Sequence, residues 1–243
     1  MITRRSMLAG AAGVAGTVLF GGTAQAAACG PDVELRARPD LAVTVRSRAG
    51  WGANENHRFD SAGKEIWPAE FYKIQAVTVH HAGYDDGKDP VAAVRDIYYN
   101  HAVTSGYGDI GYHLLIDWNG VVYEGRYSGT DCVPVLNPSG LAVNAAHVVN
   151  YNAANVGICL LHNLSTVQPT QAALDALTRT AAVLCSLSKL DPTATIKYTN
   201  PINNKTATVP SLSGHRDWAE TECPGNLLYP QLPQIRANAK KLL

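Results

Sequence analysis

Residues 111–125 read GYHLLIDWNGVVYEG. Two short runs rich in apolar and β-branched residues flank Asn119-Gly120, the pair favoured in tight hairpin turns, so the stretch predicts a β-hairpin with a two-residue type I′ turn. Upstream, KIQAVTVHHAG is a β-branched, apolar run that stops at Gly83 and reads as a buried strand. Between the two, DPVAAVRDIYYNHAV predicts a helix with Asp89 as N-cap, Pro90 in its first turn and a stripe of Val91, Val94, Ile97 and Tyr98. Downstream, NVGICLL is a second buried strand. QPTQAALDALTRTAAVLCSLSKL is a helix capped by Thr170, with Leu174, Leu177, Ala181 and Leu184 facing inward. Residues 127–150 form a long irregular segment, a length that is uncommon without a function. NLLYPQLPQIRANAKKLL predicts a last helix broken by prolines, and Trp51 in SRAGWGANE is a large anchor in a turn-rich stretch. Strands alternating with helices give an α/β class (mixed, α+β-like), with a central mixed β-sheet flanked by helices in a single domain.

The first 28 residues stand apart. Arg4 and Arg5 precede a Gly/Ala-rich apolar run from Met7 to Phe20, and Ala-x-Ala choices follow near Ala24–Ala28. That layout predicts a cleaved export signal of the twin-arginine type rather than a membrane span, for which the run is too short. Residues 29–46 are polar and read as a loosely packed leader, and residues 47–243 as the domain. Cys29 follows AAA, without the branched residue usual before a lipidated cysteine. Lys plus Arg and Asp plus Glu number 20 each, and removal of Arg4 and Arg5 leaves 18 bases against 20 acids. No basic field points to nucleic acid or to an anionic membrane surface, and a soluble monomer with no membrane insertion after cleavage is expected. Five cysteines, an odd number, leave at least one thiol outside any pairing. Cys159 and Cys185 fall in apolar patterns suited to a core, and the sequence assigns no bridges.

Chemistry gathers in two places. Adjacent side chains on a strand point to opposite faces, so His80 shares a face with Thr78 and His81 with Val79. A histidine at a strand end before a glycine loop suits a site residue as well as it suits a hydrogen-bonded core residue. The second place is SGHRDWAETECPG, residues 213–225, with His215 and Cys223 on one loop. Imidazole nitrogen and thiolate sulfur are zinc donors, and a catalytic zinc takes three protein ligands and keeps one position open. His80, His215 and Cys223 fit that pattern better than a closed structural site.

Together, VTVHHAG, GDIGYHLLIDWNGVVYEGR and SGHRDWAETECPG resemble the motif blocks of the peptidoglycan recognition proteins. These belong with the bacteriophage-type lysozyme-like zinc amidases, and the likeness runs from about Ser47 to the C-terminus. The resemblance implies a mixed sheet with a groove for muropeptides and N-acetylmuramoyl-L-alanine amidase activity on peptidoglycan. It implies Zn²⁺ on His80, His215 and Cys223, with Tyr112 as the catalytic tyrosine and Thr221 at the assisting threonine or lysine position. Zinc can polarise an amide carbonyl and lower the pKa of water toward ~7, and a phenol donor such as Tyr112 can stabilise an oxyanion. His81 is a candidate to orient a ligand from behind.

His101, His147, Asn155 and Arg126 are expected along the groove. His101 has an alternative role as a helix C-terminal cation. Asp109 is expected to brace the hairpin, Glu124 to pair with Arg126 or touch the groove, and His113 is given no role. Tyr127-Ser128 stands where animal relatives have Gly-Trp, and a longer segment follows, so stem-peptide preference does not carry over. Two other functions compete with the amidase. One is a module that binds muropeptides without cutting them. The other is a cysteine hydrolase using Cys223, His215 and Asp217, weakened by Pro224 directly after the thiol and by the lack of a helix start there.

Overall fold

The computed structural model describes residues 29–85 and 89–243; the expected signal, residues 1–28, lies outside them. The strands are β1 (Asp32–Arg38), β2 (Leu41–Arg46), β3 (Phe71–Tyr72), β4 (Ala76–His81), β5 (Leu114–Ile116), β6 (Val122–Glu124), β7 (Ala142–Val143), β8 (Asn155–Leu160), β9 (Thr195–Thr199), β10 (Thr206–Pro210) and β11 (Leu212–Gly214). The helices are α1 (Arg48–Trp51), α2 (Pro90–Tyr99), α3 (Gln171–Ser188) and α4 (Leu232–Lys241). Seven strands form one mixed sheet in the order β1-β2-β6-β5-β8-β4-β11. The parallel strands β4 and β8 lie inside it, and every residue of both is buried. That double-sided burial is why both sequences are continuous apolar runs rather than alternating ones.

The hairpin at 114–124 is present, with Leu114 opposite Glu124 and Ile116 opposite Val122. Its turn is not the two-residue type I′ expected. Asp117 N–H donates to the Val121 carbonyl, Gly120 N–H returns to the Asp117 carbonyl, and Asp117 Oδ1 accepts from the amides of Asn119 and Val121. Gly120 takes φ +81° and Asn119 stays outside the positive-φ region, so the loop is a three-residue turn with glycine in the left-handed position. The Asp117 carboxylate supplies the acceptor that makes the wider turn favourable.

Residues 29–46 are not a loose leader. β1 and β2 form an antiparallel hairpin, and β2 pairs in parallel with β6. Leu35, Leu41 and Val45 are buried beneath α3, and a disulfide joins Cys29 to Cys132. This ties the irregular 127–150 segment to the sheet edge, and β7 within that segment pairs with β3.

Helices α3 and α4 cover one face of the sheet, packing Leu177, Ala181, Leu184 and Ile235 on Val77, Val79, Leu114 and Ile158. α2 covers the other face with Val94, Ile97 and Tyr98 around Trp51, Leu115 and Cys159. Asp89 caps α2 by accepting from Val91 N and Ala92 N, and Thr170 caps α3 through Ala173 N. The prolines of the last segment do not break α4: Pro230 lies in a preceding 3₁₀ turn, Tyr229–Gln231, and Pro233 sits in the first turn of the helix, where a missing N–H costs nothing. The β9–β10 hairpin is an addition that the sequence reading did not identify; Asn200 Nδ2 fastens its tip to the Asn150 carbonyl.

Candidate metal and active site

Three elements bring the zinc-type donors together. β4 ends on His80–His81. β11 leads into a 3₁₀ turn, His215–Asp217, and the following loop returns to Cys223, closed by Arg216 N–H to the Cys223 carbonyl. The ligand atoms of His80, His215 and Cys223 lie within 4.8 Å of one another, and among the described residues no other trio of this kind occurs. His80 Nδ1 is 3.6 Å from Cys223 Sγ. Zinc bonds of ~2.3 Å to sulfur and ~2.0–2.1 Å to nitrogen at a tetrahedral angle separate such donors by ~3.6 Å, so the residues present fit the ion.

The electrostatics suit neutral imidazoles. Burial, reinforced by His147 and His215, holds the His80 pKa well below its ordinary value, and burial lowers that of His215. The Cys223 thiol is pushed up to about 11 by burial, opposed by the His81 backbone N–H and by Arg216. Asp217 is committed elsewhere: it accepts from Gly214 N at 2.8 Å and from the Tyr229 hydroxyl at 2.5 Å. The Cys–His–Asp hydrolase arrangement is therefore not assembled.

Tyr112 lies beside the trio, its ring 5.2 Å from His80 and 5.4 Å from His101. Burial raises its phenol well above the usual range, so at neutral pH it remains an O–H donor. A cavity of about 340 Å³ opens next to it, lined by Tyr84, Asn100, His101, Ser105, Tyr107 and Tyr112. His101 sits in a π-helical turn, Asn100–Thr104, that extends α2. Its Nδ1 accepts from Gly111 N at 3.0 Å, and burial lowers its pKa. It is thus a neutral ring with its hydrogen on Nε2, not a helix-terminal cation. The Thr221 hydroxyl accepts from Cys223 N at 3.2 Å, a local turn contact in the loop that carries Cys223.

Three of the four residues expected along the groove are buried inside the protein instead. Arg126 is 1% exposed, with Asp109 Oδ2 at 2.7 Å and the Trp67 carbonyl at 2.7 Å. Asn155 accepts from Thr78 Oγ1 at 2.8 Å and donates to the Tyr151 carbonyl. His147 contacts His80 rather than open space, Nδ1 to Nε2 at 3.0 Å. Glu124 pairs with neither Arg126 nor the groove but accepts from Arg48 N. His81 turns to the opposite face from His80 and accepts from Leu164 N, so its side chain does not orient the trio. His113 bonds Gly157 N and the Val143 carbonyl. Asp109 is fully buried between Arg48 and Arg126 and also accepts from Ile110 N and Tyr127 N, which fixes the chain just before Tyr112. The sequence carries no signal for Arg48 in this network or for the His80–His147 contact, because both partners are distant along the chain.

Residues 70–226 match the protein family described as N-acetylmuramoyl-L-alanine amidase. The chain belongs to this amidase family. Peptidoglycan-recognition protein SC2 of Drosophila simulans is 29% identical over 194 residues, which is 79% of this chain and 86% of the relative. Human N-acetylmuramoyl-L-alanine amidase is 30% identical over 155 residues, covering 61% of this chain and 22% of the human protein. Among solved structures, wild-type Drosophila PGRP-LB superposes with a TM-score of 0.54 at 27% identity, covering 76% of this chain and 90% of that one. Membership of the amidase family carries a peptidoglycan-binding or amidase function. Its mixed sheet with flanking helices is the architecture seen here.

Proposed function

We propose that this protein is an exported, zinc-dependent N-acetylmuramoyl-L-alanine amidase that hydrolyses the amide between the lactyl group of muramic acid and the first alanine of the stem peptide. The observation that carries the reading is the 3.6 Å approach of His80 Nδ1 and Cys223 Sγ within a His–His–Cys trio; the ring of Tyr112, which lines a cavity, lies 5.2 Å from that of His80. A zinc ion held by His80, His215 and Cys223 would supply Lewis acidity to the scissile carbonyl and acidify water. The chain's own residues supply the rest. In this reading Tyr112 would donate its O–H to the developing oxyanion, and His101 would donate from Nε2 to a substrate in the cavity. Asp109 holds the chain that delivers both Tyr112 and the Gly111 amide to His101.

A muropeptide substrate is supported by a tyrosine-to-phenylalanine variant of Drosophila PGRP-LB, 27% identical to this chain, which was solved in complex with tracheal cytotoxin. Export is supported by the Cys29–Cys132 disulfide, a bond favoured outside the cytoplasm. Among the described residues no helix is long and apolar enough to cross a membrane. The deciding experiment measures metal by mass spectrometry and cleavage of muropeptides for native, chelated and zinc-restored protein. One zinc per chain, with cleavage lost and regained, is expected. Zinc without cleavage of any muropeptide would leave a binding module, and cleavage that survives metal removal would reject the ligand assignment.

A further inference from the structure

An imidazole offers a metal only the nitrogen that carries no hydrogen, so the tautomer of His80 decides whether it can ligate from Nδ1. The surroundings of His147 settle that tautomer. His147 is buried, and its Nε2 lies 2.9 Å from the Asn155 carbonyl oxygen. A carbonyl oxygen only accepts, so His147 Nε2 bears the hydrogen. Its Nδ1 meets His80 Nε2 at 3.0 Å, so neither ring nitrogen faces a carboxylate that would support a buried cation. The ring is neutral, Nδ1 is an acceptor, and His80 Nε2 must donate to it. His80 is left with its lone pair on Nδ1, the atom 3.6 Å from Cys223 Sγ.

The seat of His147 is built to hold the ring still. Asn152 Oδ1 accepts from the amides of His147 and Val148 at 2.9 and 2.7 Å. Gly157 lies against the imidazole so closely that a Cβ there would come within 2.7 Å of His147 Cγ. His113, the other buried histidine nearby, spends both nitrogens on backbone groups and does not compete for His147 Nδ1.

We infer that His147 is a positioning residue for the metal centre: the chain Asn155 C=O, His147, His80 locks His80 with its Nδ1 lone pair toward the ion. The inference rests on the zinc reading above. Its test is arranged so that the two fail separately. Nitrogen-15 NMR of histidine-labelled, metal-free protein reads the His80 tautomer directly, without any substitution. Hydrogen on Nε2 is expected; hydrogen on Nδ1 overturns the inference. Zinc affinity is then measured by chelator competition on purified His147→Leu and His147→Gln proteins whose unfolding midpoints are determined alongside. Loss of an outer partner of a metal-bound histidine weakens affinity about 10–100-fold, and that loss is expected for His147→Leu. Glutamine keeps an acceptor for His80 and a donor for the Asn155 carbonyl, so His147→Gln is expected to recover most of the affinity, a rescue that simple packing does not predict. A folded His147→Leu protein with native zinc affinity overturns the inference. If the leucine variant does not fold, the tautomer measurement decides. Wild-type protein that takes up no zinc rejects the metal reading instead, while the tautomer is still read from the metal-free spectrum.

Discussion

Replacing Asp109 by alanine removes the centre of a buried charge network without touching the metal donors. Asp109 receives Arg48 Nη1 at 2.9 Å and Arg126 Nη1 at 2.7 Å, with side-chain exposures of 5% and 0% for the two arginines. Arg48 keeps Glu55 at 2.8 Å, so it is only partly stranded. Arg126 retains carbonyl partners but no counter-charge. Removing one member of a buried pair typically costs ~3–5 kcal/mol because the other charge stays buried. The Ile110 and Tyr127 N–H groups lose their acceptor too, which offsets the partner that Arg48 keeps, and a loss in the middle of that range, about 4 kcal/mol, is expected. With a urea m-value of ~2 kcal/mol/M, the unfolding midpoint falls by about 2 M. Equilibrium urea unfolding followed by circular dichroism measures it, with the disulfide intact in both proteins. A midpoint shift below ~0.5 M at unchanged m-value would refute the claim that the network is a structural brace.

The pH dependence supplies a second check on the same residue. Burial alone would raise the Asp109 carboxyl, but the Arg48 and Arg126 charges and the Tyr127 amide outweigh it and hold the pKa below its ordinary value. A carboxyl depressed in the folded state contributes stability above its unfolded pKa of ~3.9 and loses it as pH falls through the folded value. The stability gap between wild type and Asp109→Asn should therefore be flat near neutrality and narrow only below about pH 4.

Tyr112→Phe is expected to keep zinc content and KM but lower kcat by ~10²–10³, read by steady-state muropeptide cleavage; undiminished turnover removes Tyr112 from the mechanism. Gly111→Ala would drive a Cβ into the Ala146 carbonyl oxygen and disturb the amide that holds His101. It should cost ~1–3 kcal/mol in urea unfolding and reduce cleavage; wild-type stability would show that the 111–146 contact yields freely. Cys132→Ser opens a bridge across a sequence separation of 103 residues, for which loop entropy sets an upper limit of ~4–5 kcal/mol. Calorimetry should show a lowered Tm, and an unchanged one would mean that β2–β6 pairing and burial beneath α3 anchor the N-terminal segment without the bridge. Replacing Arg4 and Arg5 by lysine should retain precursor inside the cell; unchanged export would reject the twin-arginine reading.

Features that depend only on neighbours along the chain are legible in the amino-acid order. Alternation about Asn119-Gly120 specified a hairpin, and the Asp89-Pro90 and Thr170 signals placed both long helices, because capping and periodicity are local. The opposite facing of His80 and His81 also followed from strand geometry alone. Its limit was visible even locally: the Asp117 side chain, not the Asn-Gly pair, decided the form of the turn. Residues 29–46 looked loose because a short polar segment acquires its strand character only when β6 offers an edge to pair with. Tertiary structure alone decided which polar residues face the cavity. Arg126, Asn155 and His147 are of groove-lining types, yet their partners Asp109, Thr78 and His80 lie 17, 77 and 67 residues away. Whether a buried polar side chain binds substrate or satisfies another buried group depends on those distant partners, since desolvation penalises any group left unpaired and only the packed sheet brings the partners within reach.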